Sequence, residues 1–126
     1  MVELVLNFQN KTQTKYTTEQ ARSILINKLS NIKKNGIFEI SVIICGARKI
    51  RSLNNKYRNL DKSTDVLSFG QDRIKIIKGQ PTLLGDIVIS VPNTQKNAKK
   101  NNHSFEQEMD DLLYHGLKHL LGYHHK

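Results

Sequence analysis

Four of the five histidines fall in the stretch HGLKHLLGYHHK, His115 to Lys126. His115 and His119 stand four apart, so on a helix, at about 100° per residue, both imidazoles share one face and can reach a common point. Gly122 permits a turn three residues later, and His125 follows six residues after His119, able to swing back toward the same place. Three nitrogen donors with a coordination position left open are the ligand set of a catalytic zinc site, whereas structural zinc sites close with four ligands. Two histidines at this spacing are ordinary in helices; the third, after a helix-ending glycine, is what points to a metal. His124 reads as an exposed neighbour, with a ligand in another register or a proton shuttle as alternatives. His103, alone in the polar NNHS, reads as a surface residue.

The pattern H-x-x-x-H-x-x-G-x-x-H has the spacing of the metzincin proteases. Those enzymes need a glutamate directly after the first histidine as general base. Here that position is Gly116, which holds no proton. The ligand cage is present and the peptidase's base is missing, which counts against a zinc peptidase.

Such a site needs a scaffold, and the hydrophobic periodicity supplies one. VELVLNFQ alternates apolar and polar residues as a half-buried strand does. TTEQARSILINKLSNIKKNG predicts a helix of about 16 residues, capped by Thr17 with Gln20 three positions on, its apolar residues at helical spacing up to Gly36. IFEISVIIC reads as a central strand ended by Gly46, and ARKIRSLNNKYRNLD as a second helix built on Ile50, Leu53 and Tyr57. STDVLSFG and LLGDIVISV are further strands, with Gly85 a bulge or a close backbone approach. VPNTQKNAKKNN suits a short polar helix or a loop equally. Ser104 and Gln107 form a second capping box that opens the histidine helix, whose stripe of Phe105, Met109, Leu112, Leu113, Leu117 and Leu120 faces a core. The order βαβαββ(α)α, without repeat or linker, predicts one α+β domain around a single sheet of about four strands.

Composition narrows the setting. The chain of 126 residues is long enough to bury a core without staples, and its one cysteine, Cys45, lies in an apolar run, which excludes an internal disulfide. No stretch approaches the roughly 20 apolar residues of a membrane span, and MVELVLNFQNK lacks the features of a secretory signal, so the expectation is a cytoplasmic protein. Twenty Lys and Arg against 11 Asp and Glu give a formal charge of +9. Such a charge attracts phosphate backbones, although a lysine- and asparagine-rich codon bias yields the same number. The acids Glu106, Glu108, Asp110 and Asp111 cluster just before the histidines, leaving the positive charge in residues 48 to 62 and at Lys96, Lys99 and Lys100.

HGLKHLLGYHH resembles the signature H-G-x-L-H-L-x-G-Y-D-H of the YbeY family, bacterial rRNA maturation factors described as single-strand-specific endoribonucleases. LNNKYRNLDKSTDVLSFG is similar to that family's Tyr-Arg pair followed by Asp-Lys-x-Thr-Asp-Val-Leu-Ser-Phe, and LLGDIVIS to its Leu-Gly-Asp-Ile strand. The resemblance runs from about Leu53 to His125. It implies a single domain over residues 1–126, with a mixed sheet and a zincin-like metal helix. It implies that His115, His119 and His125 hold one Zn2+ per chain and that Arg58 is the functional arginine. Lys62 becomes a candidate phosphate contact, and Asp65, Ser68 and Asp86 candidates for orienting ligands or substrate. The implied activity is zinc-dependent cleavage of single-stranded rRNA in ribosome maturation and quality control, with the small ribosomal subunit and other maturation factors as partners. The alternative is a noncatalytic ribosome- or RNA-binding factor with a structural or weak metal site.

Chemistry agrees with the arginine. Phosphodiester cleavage builds negative charge on phosphoryl oxygens, and a guanidinium presents a planar fork of donors to it. Zinc could polarise a phosphoryl oxygen, with water or the RNA 2′-OH as nucleophile. The sequence departs from the family pattern at Lys118, usually leucine, and at His124, usually aspartate. It also stops at Lys126, where the family usually continues into an acidic helix, so the domain is expected to lack that helix.

Overall fold

A computed structural model describes residues 1–71 and 74–122. Its elements are β1 (Val2–Asn10), α1 (Thr18–Ile32), β2 (Gly36–Cys45), α2 (Ala47–Arg58), β3 (Val66–Gly70), β4 (Thr82–Ser90), α3 (Val91–Asn101) and α4 (Phe105–Leu120). The four strands form one mixed sheet in the order β1-β2-β4-β3. β1, β2 and β4 run parallel, and β3 pairs antiparallel with β4 at the edge, Ser68 opposite Ile87. Parallel neighbours need crossovers, and α1 supplies the one between β1 and β2.

The expected single α+β domain with a four-stranded mixed sheet is what forms. Ala21, Leu25 and Leu29 of α1 and Met109, Leu113 and Leu117 of α4 pack on Ile40, Val42, Ile44, Ile87 and Ile89, all fully or almost fully buried. A smaller cluster lies on the opposite face, where Ile50 of α2 meets Cys45, Leu67 and Val88. Helices on both faces explain why β4 ends in the unbroken apolar run Ile87, Val88, Ile89 instead of alternating. Burial also pushes the Cys45 thiol up from its ordinary pKa, in keeping with a packed, unreactive side chain.

Local signals match the chemistry that caps and turns require. Thr17 accepts from the Gln20 amide at 3.2 Å, and the Gln20 side chain accepts from the Thr17 amide at 2.9 Å, closing the capping box. At Ser104 only half of the expected box forms. Its hydroxyl accepts from the Gln107 amide at 3.1 Å, while the Gln107 side chain turns forward to donate to Asp111 at 2.9 Å. VPNTQKNAKKNN, which sequence left between helix and loop, is helical. Pro92 sits in the first turn, where its missing N–H costs nothing, and Val91, Thr94 and Ala98 bury one face.

Gly85 has φ of 140° and marks a register shift opposite Glu39 and Ile40 of β2. A Cβ there would fall 2.2 Å from the Phe69 carbonyl oxygen. Both readings of this glycine, bulge and close approach, therefore hold.

Candidate functional site

α4 places His115 and His119 side by side, their ring centroids 4.6 Å apart and their planes tilted by 40°. Both are partly buried, beside the apolar face that Leu113, Gly116 and Leu117 press onto the sheet. Two imidazoles this close, on a rigid helix, suit a zinc-type cation by donor chemistry and by proximity. α4 ends at Leu120, and Gly122 follows with φ of 91°, the turn that the spacing predicts. His124 and the expected third ligand His125 lie outside the described residues.

Arg58 is the last residue of α2, on the other side of the sheet from α1 and α4. Because β3 is the edge strand, the guanidinium can reach around its outer side, where it donates to the Ser68 carbonyl at 3.4 Å. Arg58, Ser68 and His119 thus line one cleft of about 660 Å³, with Gly70, Gln71 and Gly122 at its walls. The helix ends as it does because Asn59 takes the left-handed conformation with φ of 57°, and its amide turns back to Asn55. That cap sets where the arginine sits.

A family model described as Endoribonuclease YbeY matches residues 5–126. The chain belongs to the YbeY endoribonuclease family. It is 36% identical over 134 residues to the Endoribonuclease YbeY of Geobacillus sp. (strain WCH70), covering 98% of this chain and 85% of that one. The Shouchella clausii Endoribonuclease YbeY is 35% identical, with 99% and 83% covered. The match to the Halalkalibacterium halodurans Endoribonuclease YbeY, 41% identical, spans 71% of this chain and 61% of that relative. The fold resembles the solution structure of the Thermotoga maritima protein TM1509, with a TM-score of 0.66, 24% identity, and 97% of this chain and 75% of that chain covered.

The other positions singled out from the YbeY motifs take different places. Asp65 accepts from the Val66 amide at 2.7 Å and from the Asn97 side chain at 2.9 Å, tying the start of β3 to α3. Lys62 is exposed on the loop before β3, and its carbonyl accepts from Asn54 at 3.0 Å. Asp86 lies in a separate apolar hollow with Ile43, Leu53, Tyr57, Phe69 and Val88. Of the residues named from sequence and described here, the cleft gathers Arg58, Ser68 and His119, with His115 against His119; it does not gather Lys62, Asp65 or Asp86.

Gly116 acquires a meaning that its place after His115 conceals. A Cβ at this position would stand 2.9 Å from the Cγ2 of Ile87. In this YbeY chain the residue after the first histidine faces β4, and a glutamate there would be driven into the core. A second group also escaped sequence reasoning. His103 is exposed, as its polar surroundings suggest, yet it is not isolated: its Nδ1 lies 3.4 Å from Glu108 and 3.6 Å from Asp111, and the three could hold a metal ion.

Among the described residues no helix is long and apolar enough to cross a membrane.

Proposed function

We propose that this chain is a zinc-dependent endoribonuclease that cuts single-stranded rRNA during ribosome maturation and quality control. The observation that carries the reading is the shared cleft of Arg58 and His119, one residue from each side of the sheet. Its setting is a family whose relatives are named as endoribonucleases. The small ribosomal subunit and its maturation factors are the proposed partners, and the cytoplasm the proposed place of action.

In this reading His115, His119 and His125 hold one zinc ion. When bound, that ion supplies Lewis acidity toward a phosphoryl oxygen and makes water more acidic. Arg58 orients the scissile phosphate with its planar donors and meets the charge that grows on the nonbridging oxygens. The contact to the Ser68 carbonyl keeps the guanidinium at the cleft rim before substrate arrives, so little reorganisation accompanies binding. Gly116 leaves no carboxylate at the metzincin base position, so the nucleophile, water or the RNA 2′-OH, would take its activation from other groups of the cleft.

The test is Arg58→Ala in a preparation of measured zinc content. Cleavage of an unstructured RNA should fall by about 10²-fold or more while zinc per chain stays the same. Undiminished cleavage would remove Arg58 from the chemistry. RNA binding without any cleavage that follows zinc removal and return would favour the noncatalytic ribosome-binding factor instead.

A further inference from the structure

We propose a second metal site, distinct from the histidine pair, in which His103, Glu108 and Asp111 bind a zinc-type divalent cation and join α3 to α4. The three residues meet where the two helices connect. Asn102 ends α3 in the left-handed conformation, with φ of 61°. The His103 amide then donates back to Ala98 at 2.9 Å, which fixes the chain direction just before Ser104 caps α4. Glu108 and Asp111 stand three apart on α4, so both carboxylates face that junction. One donor atom from each residue lies within 4.8 Å of the other two.

Both His103 separations suit ligands around a metal better than a direct hydrogen bond. Charge-assisted N–H···O bonds are about 2.7–2.9 Å long. His103 Nδ1 lies 3.4 Å from Glu108 Oε1 and 3.6 Å from Asp111 Oδ2. Donors about 2.1 Å from a tetrahedral cation are about 3.4 Å from one another, so the two His103 separations match the edges of such a site, and the two carboxylates lie within 4.8 Å of each other.

Glu108 supplies an independent reason. It is only 6% exposed, yet its carboxylate meets only the His103 ring and the Asn101 side chain, both at 3.4 Å, among the described residues. Among the described residues no lysine or arginine forms an ion pair with it. A carboxylate this buried needs a cation or strong donors close by. Asp111 is already oriented, since Gln107 donates to its Oδ1 at 2.9 Å and leaves Oδ2 toward the cluster. One imidazole and two carboxylates, with a position open to water, are a donor set for zinc and not for magnesium.

The experiment counts metal and needs no cleavage assay. The chain carrying His115→Ala and His119→Ala is stripped with chelator, dialysed against zinc and analysed. It should retain about one equivalent that is lost when His103→Ala or the surface change Asp111→Asn is added. Zinc should raise the unfolding midpoint of the double variant by at least about 2 °C, and that of either triple variant by less. Asp111→Asn leaves the buried Glu108 in place, so its zinc loss is read on a folded chain, checked by circular dichroism. Equal zinc in the double and triple variants would overturn the site, as would a double variant that binds none; the His103 ring, without a metal, would then be the partner of Glu108. Neither result bears on whether Arg58 and the histidine pair cut RNA.

Discussion

Single residues divide here by whether their role depends on spacing or on depth. His115 and His119 are legible in sequence because helical geometry alone puts four-apart side chains together, and their rings do lie 4.6 Å apart. Gly116 is not legible in the same way. Sequence shows only that a base is missing, whereas the reason lies in how closely α4 approaches Ile87. Gly116→Ala should gain about 1 kcal/mol of helix propensity and lose about 2 kcal/mol to overpacking, a net loss near 1 kcal/mol in urea unfolding. Gly116→Glu should yield an insoluble or unfolded chain and no peptidase, measured by soluble yield and circular dichroism. A stable, folded Gly116→Glu protein would show that the helix can lift from the sheet. The two terminal histidines separate by a simpler measurement. His125→Ala should weaken zinc binding by about 10²-fold, judged by competition with a chelator in a His103→Ala background, and His124→Ala should leave it unchanged.

At the scale of elements, apolar periodicity places the strands and every helix except the polar α3, because burial and not local preference decides them. What it does not carry is how elements are tied together. Asp65 sits in a motif that suggested a role toward ligands or substrate, and its contacts instead run to the Val66 amide and to Asn97 of α3. Asn97 is 32 residues away, so nothing in the local pattern reveals that tie. Asp65→Ala should therefore cost about 2 kcal/mol of stability through two lost charge-assisted hydrogen bonds, with zinc content unaltered. Chemical denaturation beside metal analysis separates the outcomes, since loss of zinc without loss of stability would return Asp65 to the metal's surroundings. α4 shows the same limit. Its cap at Ser104 is readable, but Gln107 abandons the reciprocal bond for Asp111, a partner one turn on that the capping pattern does not specify.

Over the whole molecule the question is how much of the +9 charge an RNA strand would feel. Net charge alone cannot decide, because lysine-rich composition arises without a nucleic-acid partner. Position is more informative. α2 and the loop after it hold Arg48, Lys49, Arg51, Lys56, Arg58 and Lys62. Arg51 is spent on Asp61, its Nε 2.8 Å from the carboxylate, which holds Asp61 below the usual carboxylate pKa. The cation that reaches the cleft from this segment is Arg58, while Lys62 stays on the exposed loop. Counterion release turns this difference into a measurement, since each phosphate neutralised on a single strand adds about 0.7 to the slope of log affinity against log salt. Arg58→Ala should flatten that slope by about 0.7, and Arg51→Ala should leave it unchanged, because its charge is already matched. Lys62→Ala distinguishes two geometries: a flattening of about 0.7 means that the strand continues past the cleft along the loop before β3, and no change confines the phosphate contacts to the cleft. Since these slopes come from equilibrium binding of an RNA in the presence of chelator, they report on the surface that holds the strand whatever the rate at which it is cut.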